Sequence, residues 1–248
     1  MKTPSSRRPT RPPRQRDDFC IRSVGDSALA IVFEARIDPM INARVAAVTA
    51  RLDALRLNAV LDVVPTYRSV TVYYDPLMVT DTALKARLAQ ILNHHPRSHR
   101  TRTRIVDIPV CYDEEFGIDL RSIGDLAGLT RSRIVELHTS RVYRVYMLGF
   151  LPGFPYMAEV PAALAIPRLP TPRRSVPAGS VGIADAQTGI YPMESPGGWR
   201  IIGRTPLQIY DPGRRRPFLL AAGDRVRFRP IDRKQFDQFC HEQVHLQT

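Results

Sequence analysis

Between Tyr143 and Asp211 the chain cannot run as long helices or long flat strands, because glycine or proline interrupts it every few residues. Ten of the 14 glycines fall between Gly149 and Gly223, and 12 of the 22 prolines between Pro152 and Pro217. Glycine supplies corners at positive φ and proline fixes φ, so each short apolar run between them is a strand candidate. The spacing predicts a compact barrel of short strands whose corners gather on one side and build a site.

The 248 residues suffice for one large core or two ordinary ones, and the change in glycine and proline use favours two. No apolar run reaches the roughly 18 residues needed to span a bilayer, and the N-terminus lacks a signal peptide's apolar segment, so a soluble cytoplasmic protein is expected. Cys20, Cys111 and Cys240 are far apart and form no CxxC pair, which predicts reduced thiols. Half of the net charge of +12 sits in six basic residues ahead of Asp17. No basic stripe interleaved with aromatics and no recognition helix is visible, which argues against specific nucleic-acid binding.

Residues 1–16 hold four prolines, several arginines and almost no apolar mass, a composition that predicts a disordered tail. The same prolines would break the amphipathic helix of a transit peptide. From Phe19, FCIRSV and ALAIVF around a Gly-Asp turn predict a hairpin. Asp38 offers a cap and Pro39 the first turn of a helix carrying Ile41, Val45, Val48, Leu52 and Leu55 at three/four spacing. VLDVVP and SVTVYY predict a second hairpin turning near Tyr67, and TDTALKARLAQILNHH a second helix stopped by Pro96. These elements predict an α+β sandwich, an antiparallel sheet with both helices on one face, over residues 17–100. A linking segment is expected over 101–142. It contains the strand RIVDIPV, a short helix capped by Asp119 and ending at Gly128, and another capped by Thr130 and running to about His138. The second domain, 143–248, closes with the strand AGDRVRFRPI and a helix from about Asp232.

The strings GFLPGFPY, TPR, VPAGSVGIA, QTGIYP, SPGGW and IGRTPL, with GDSAL, IDPMINARV, DVVPTYRSV, YYDP, CYDEEFG and ELHTS before them, resemble the allophanate hydrolase subunit 1 (KipI) family over all but the tail. Departures occur after Tyr156 and at Asp185, where relatives usually have glycine. The resemblance implies a small α/β domain followed by a cyclophilin-like β-barrel. It also implies an enzyme subunit inactive alone. Such a subunit pairs with a homologous C-type subunit and an A-type subunit to open 5-oxo-L-proline to L-glutamate, with ATP as co-substrate and Mg. Two alternatives stay open: a regulator inhibiting a histidine kinase, and a subunit of urea or allophanate metabolism.

Several residues are candidates for the site. Gly179, Gly197 and Gly198 could turn backbone N–H groups toward a phosphate. Arg173, Arg174 and Arg204 could grip phosphate or carboxylate through paired hydrogen bonds, against surface solvation as the plain alternative. Glu194 could orient a metal or an amide, or cap its turn. Gln187 and Tyr191 are expected beside the same corner, in reach of a small lactam. Trp199 and Tyr146 read as core aromatics. His138 is carried as a catalytic candidate, although a cation meeting a helix dipole explains it more simply. HEQVH at 241–245 satisfies HExxH, but it lies at a helix end with no third ligand in view, so no metal is expected. GxSxG is absent, and no serine nucleophile can be assigned.

Overall fold

A computed structural model describes residues 19–93 and 104–245, the last three of these as backbone only. The expected tail and the expected stop of the second helix at Pro96 lie outside the described residues. Strands β1 (Phe19–Ser23) and β2 (Ala28–Phe33) form the first hairpin, and β3 (Val60–Pro65) and β4 (Ser69–Tyr74) the second. They assemble in the order β1-β2-β4-β3, antiparallel throughout. Helix α1 (Pro39–Leu55) begins where expected, because the Asp38 carboxylate accepts from the amides of Met40 at 2.7 Å and Ile41 at 3.3 Å. Helix α2 spans Asp81–Asn93. Strand alternation puts Leu29, Ile31, Phe33, Val70, Val72 and Tyr74 on one sheet face. Both helices bury their apolar stripes against that face in a single cluster, with Val45 and Leu88 among its most enclosed members. Leu55, the last expected stripe residue, is exposed where α1 ends.

The second core is a closed seven-stranded barrel in the order β10-β7-β6-β13-β5-β12-β9. Its strands are β5 (Ile105–Cys111), β6 (Val142–Leu148), β7 (Pro155–Ala158), β9 (Ser180–Ala184), β10 (Gln187–Ile190), β12 (Arg200–Arg204) and β13 (Arg225–Ile231). Strands β8 (Arg173–Val176) and β11 (Ser195–Gly197) pair separately as a ribbon. The β9–β10 turn is made by Asp185 at φ +50°, a left-handed position that aspartate tolerates.

The segment 101–142 is not merely a link. Its strand β5 is a wall of the barrel, aligned in parallel with β13 from Arg225↔Ile105 to Ile231↔Cys111. Local periodicity correctly makes it a strand but holds no information about a partner 120 residues away. Helices α3 (Leu120–Ala127) and α4 (Arg131–Thr139) bury Ile123 and Ile134 in the same core as the barrel strands. Thr130 caps α4 through the Arg133 amide, and Gly128 closes α3 at φ +66°. Asp119 stands before α3 but does not cap it with its side chain. The carboxylate turns instead toward the barrel, accepting from the Ile201 amide and the Arg173 guanidinium, both at 2.7 Å. Helix α5 (Arg233–His245) packs against β5.

A polar and aromatic joint connects the two cores. The amide of buried Asn42 donates to the Tyr146 carbonyl at 3.1 Å and accepts from Arg144 Nε at 3.2 Å. From the β3–β4 turn, Tyr67 stacks on Tyr146 at 5.0 Å and donates to Gln187 Oε1 at 3.0 Å.

Candidate functional site

Arg204 ends β12, in register with Ser180 on one side and Cys111 on the other. Its guanidinium stands 5.0 Å over the Phe116 ring, which Arg233 also approaches at 5.2 Å. Arg233 is neutralised by Glu115 and by Asp237. Arg204 differs: its Nε is buried without a hydrogen-bond acceptor, and burial pulls its pKa below the usual arginine range, with Glu115 opposing. A desolvated guanidinium with a vacant donor is costly unless an acceptor arrives. Beside it, Gly179 at φ +78° fits only because it lacks a Cβ, which would stand 2.4 Å from the Thr205 carbonyl oxygen. The Gly179 amide does not face a ligand. It donates to the Tyr191 carbonyl at 2.8 Å.

The other candidates separate. Arg173 is held by Asp119, leaving one buried nitrogen, Nη1, without an acceptor. Arg174 is exposed on β8. Glu194 is exposed and accepts from the Ser175 hydroxyl at 2.7 Å across the ribbon. Gly197 is not a corner but a strand residue opposite Arg173, and the Gly198 carbonyl is taken by the Leu169 amide at 2.7 Å. Gln187 and Tyr191, expected together, are separated by the length of β10, Gln187 opening the strand and Tyr191 following its last residue: Gln187 is engaged by Tyr67, while Tyr191 is buried with Phe154, Val176 and Ile201. Trp199 is half-buried against Phe154 and Tyr156, and Tyr146 is buried, as expected of core aromatics.

His138 is not a cation at a helix end. It is fully buried, and desolvation pushes its pKa down to about 3. Thr188 donates to the Gly182 carbonyl at 3.0 Å, so its oxygen accepts from His138 Nε2 at 3.0 Å, and Nδ1 accepts from the Tyr112 hydroxyl at 2.9 Å. Both ring nitrogens are thus engaged inside the barrel, which gives His138 a core role. In the HExxH string, His241 and Glu242 are exposed on α5, and the His245 side chain lies outside the described residues. Among the described residues no cluster of three His, Cys, Asp or Glu side chains is arranged to hold a metal, and no helix is long and apolar enough to cross a membrane.

Phe116 and Arg233, which frame Arg204, were not among the sequence candidates. The only signal for Phe116 was its place in the CYDEEFG string.

The family described as carboxyltransferase domain, subdomain C and D, matches residues 19–220, which takes in the sheet, the joint and most of the barrel. The chain belongs to this family. A relative from Bacillus subtilis (strain 168), the B-type subunit of its 5-oxoprolinase, is 38% identical over 238 residues, covering 90% of this chain and 98% of its own. The resemblance carried by the glycine-rich strings is therefore borne out. The crystal structure of TTHA0988 is 39% identical with a TM-score of 0.73, and covers 86% of this chain but only 40% of its own. Urea amidolyase of K. lactis shares the fold, at a TM-score of 0.77 and 20% identity over 93% of this chain and 16% of its own.

Proposed function

We propose that this chain is the B-type subunit of an ATP-dependent 5-oxoprolinase. The observation that carries the reading is the nearly end-to-end match to the Bacillus subtilis relative of that type. In the proposed assembly it joins a C-type and an A-type subunit to convert 5-oxo-L-proline, ATP and water to L-glutamate, ADP and phosphate. ATP supplies the activation: a phosphoryl group on the lactam oxygen makes the carbonyl carbon open to water, the C–N bond breaks as the nitrogen takes up a proton to leave an acyl phosphate, and a second water releases phosphate and glutamate. Arg204 fits an anionic contact in this chemistry, because its buried Nε–H lacks an acceptor and Phe116 holds the guanidinium plane in place. The described residues offer no metal cluster, and no step is assigned to magnesium. A phosphoryl-transfer site needs a phosphate cradle and more cationic charge than Arg204 alone provides, so the partners supply the remainder.

The test is reconstitution. The isolated chain is expected to show negligible 5-oxoproline-dependent ATP hydrolysis, and addition of the C-type and A-type subunits to produce ADP and glutamate together. Within the assembly Arg204→Ala should lower turnover at least about tenfold, or about 1.4 kcal/mol of transition-state stabilisation, with complex formation intact. Full turnover by the isolated chain would overturn the subunit reading. An assembly indifferent to Arg204→Ala would overturn only the role given to that residue.

A further inference from the structure

Between β12 and β13 the chain forms a small closed loop that the proposed chemistry does not use. The Asp211 amide donates to the Pro217 carbonyl at 2.8 Å, and the Leu219 amide to the Ile209 carbonyl at 2.9 Å. At the base, Tyr210 and Phe218 stack at 5.3 Å. At the tip stand three consecutive arginines. Arg214 is tied back to Asp211 at 3.0 Å and to the Gln208 carbonyl at 3.2 Å. Arg215 and Arg216 are exposed and have no ion-pair or hydrogen-bond partner among the described residues. Pro212, Pro217 and an Asx contact from the Gly213 amide to Asp211 Oδ1 at 2.9 Å hold the backbone, so the arginines are presented from a preorganised support.

Exposed aromatics flank this charge. Phe218 is 42% exposed, and Gly153 lies against its ring, where a Cβ would come within 3.1 Å. The turn that carries Gly153 is closed by the Gly149 amide on the Phe154 carbonyl, and it displays Phe150, which is 63% exposed, held at φ +65° and set edge-on to Phe154 at 5.7 Å. A phenylalanine in the left-handed region costs about 1–2 kcal/mol, yet here the ring faces water.

Resting on the subunit reading above, we infer that the arginine loop and the rings of Phe150 and Phe218 form a docking surface for a carboxylate-rich segment of a partner protein. The rings and guanidinium groups sit on projecting turns, whereas small-molecule sites are concave, so the occupant is a macromolecule. Arginine and aromatic side chains are the types that anchor protein interfaces, and free guanidinium groups are matched by carboxylates. The surroundings favour protein over nucleic acid: one matched relative is by name a subunit, and another runs on for more than half its length beyond the shared part.

The experiment measures binding of the full chain to the C-type subunit of the proposed assembly, at about 50 mM and about 300 mM salt. A fluorescent glutamate-rich peptide, its glutamine counterpart and an oligothymidylate serve as separate probes. Arg215→Ala/Arg216→Ala and Phe150→Ala should each weaken the subunit complex at least tenfold, and the arginine pair should also flatten its salt dependence. Thermal midpoints should hold, because these side chains are exposed. Equal binding by wild type and variants would overturn the inference while leaving the subunit reading in place. If wild type does not bind the C-type subunit, the subunit reading fails and the peptides decide. Arginine-dependent binding of the glutamate peptide alone then supports the surface, and its absence overturns it. Preference for oligothymidylate through the same residues would overturn it in favour of nucleic acid.

Discussion

His138 keeps its hydrogen bonds only as a neutral imidazole, since Nδ1 must accept from Tyr112 while Nε2 donates to Thr188. Its folded pKa of about 3 lies below the value near 6.5 that it regains on unfolding. The unfolded chain therefore binds the extra proton first, and stability present above pH 6.5 is lost as pH falls toward 3, at about 1.4 kcal/mol per unit. His138→Gln, which can accept and donate along the same path without titrating, should flatten this part of the profile in urea melts between pH 4 and 7. An unchanged slope would show that another group dominates. The sequence placed His138 correctly near the end of a helix, but assigned it a charge because a helix face facing solvent and one plugging a barrel carry the same periodicity. Arg204 was legible as a candidate from its motif. What distinguishes it from Arg173, the lack of a carboxylate in direct ion-pair contact among the described residues, is a property of packing and invisible in the string.

Helix α3 packs Leu120 and Ile123 into the barrel core, and Asp119 ties its start to the barrel. Asp119 links its first turn to the Ile201 amide and to Arg173, in a setting where the carboxylate is almost wholly buried. Asp119→Ala would orphan an amide and a partly buried guanidinium, and is expected to cost about 3 kcal/mol, seen as a lower urea midpoint with an unchanged denaturant slope. Asp119→Asn should recover part of it. Cap chemistry predicted the start of this helix correctly and the hydrogen bonds incorrectly, because the Ile201 backbone competes for the same oxygens across 82 residues. Elements with their own local signals were legible: α1 from Asp38 and Pro39, both hairpins, and the limits of α4. The placement of β5 was not, since its identity as a barrel wall depends on β12 and β13, both distant in sequence.

At the scale of the molecule, the joint couples two cores of different construction through few contacts. Asn42 is buried with both ends of its amide satisfied, and Tyr67 contributes a ring stack on Tyr146, an edge contact with Tyr156 and a hydrogen bond. Asn42→Ala combined with Tyr67→Ala should leave both cores folded but split a single calorimetric transition into two, whereas a uniform fall in one transition would mean the cores depend on each other more widely. The alignment of β5 with β13 bears on how the protein emerges during synthesis. All four strands of the first sheet precede residue 75, so that sheet can assemble early. β5 must wait for Arg225, and at roughly 5–20 residues per second that interval lasts on the order of 6–24 s, with an apolar strand unpaired along one edge. Ribosome-bound chains stalled before Arg225 is exposed should resist protease in the sheet and be cut in the unfinished barrel. This half of the nascent protein is where a holding chaperone would act, because the last of the seven barrel strands to be made is the one that covers the open edge of β5.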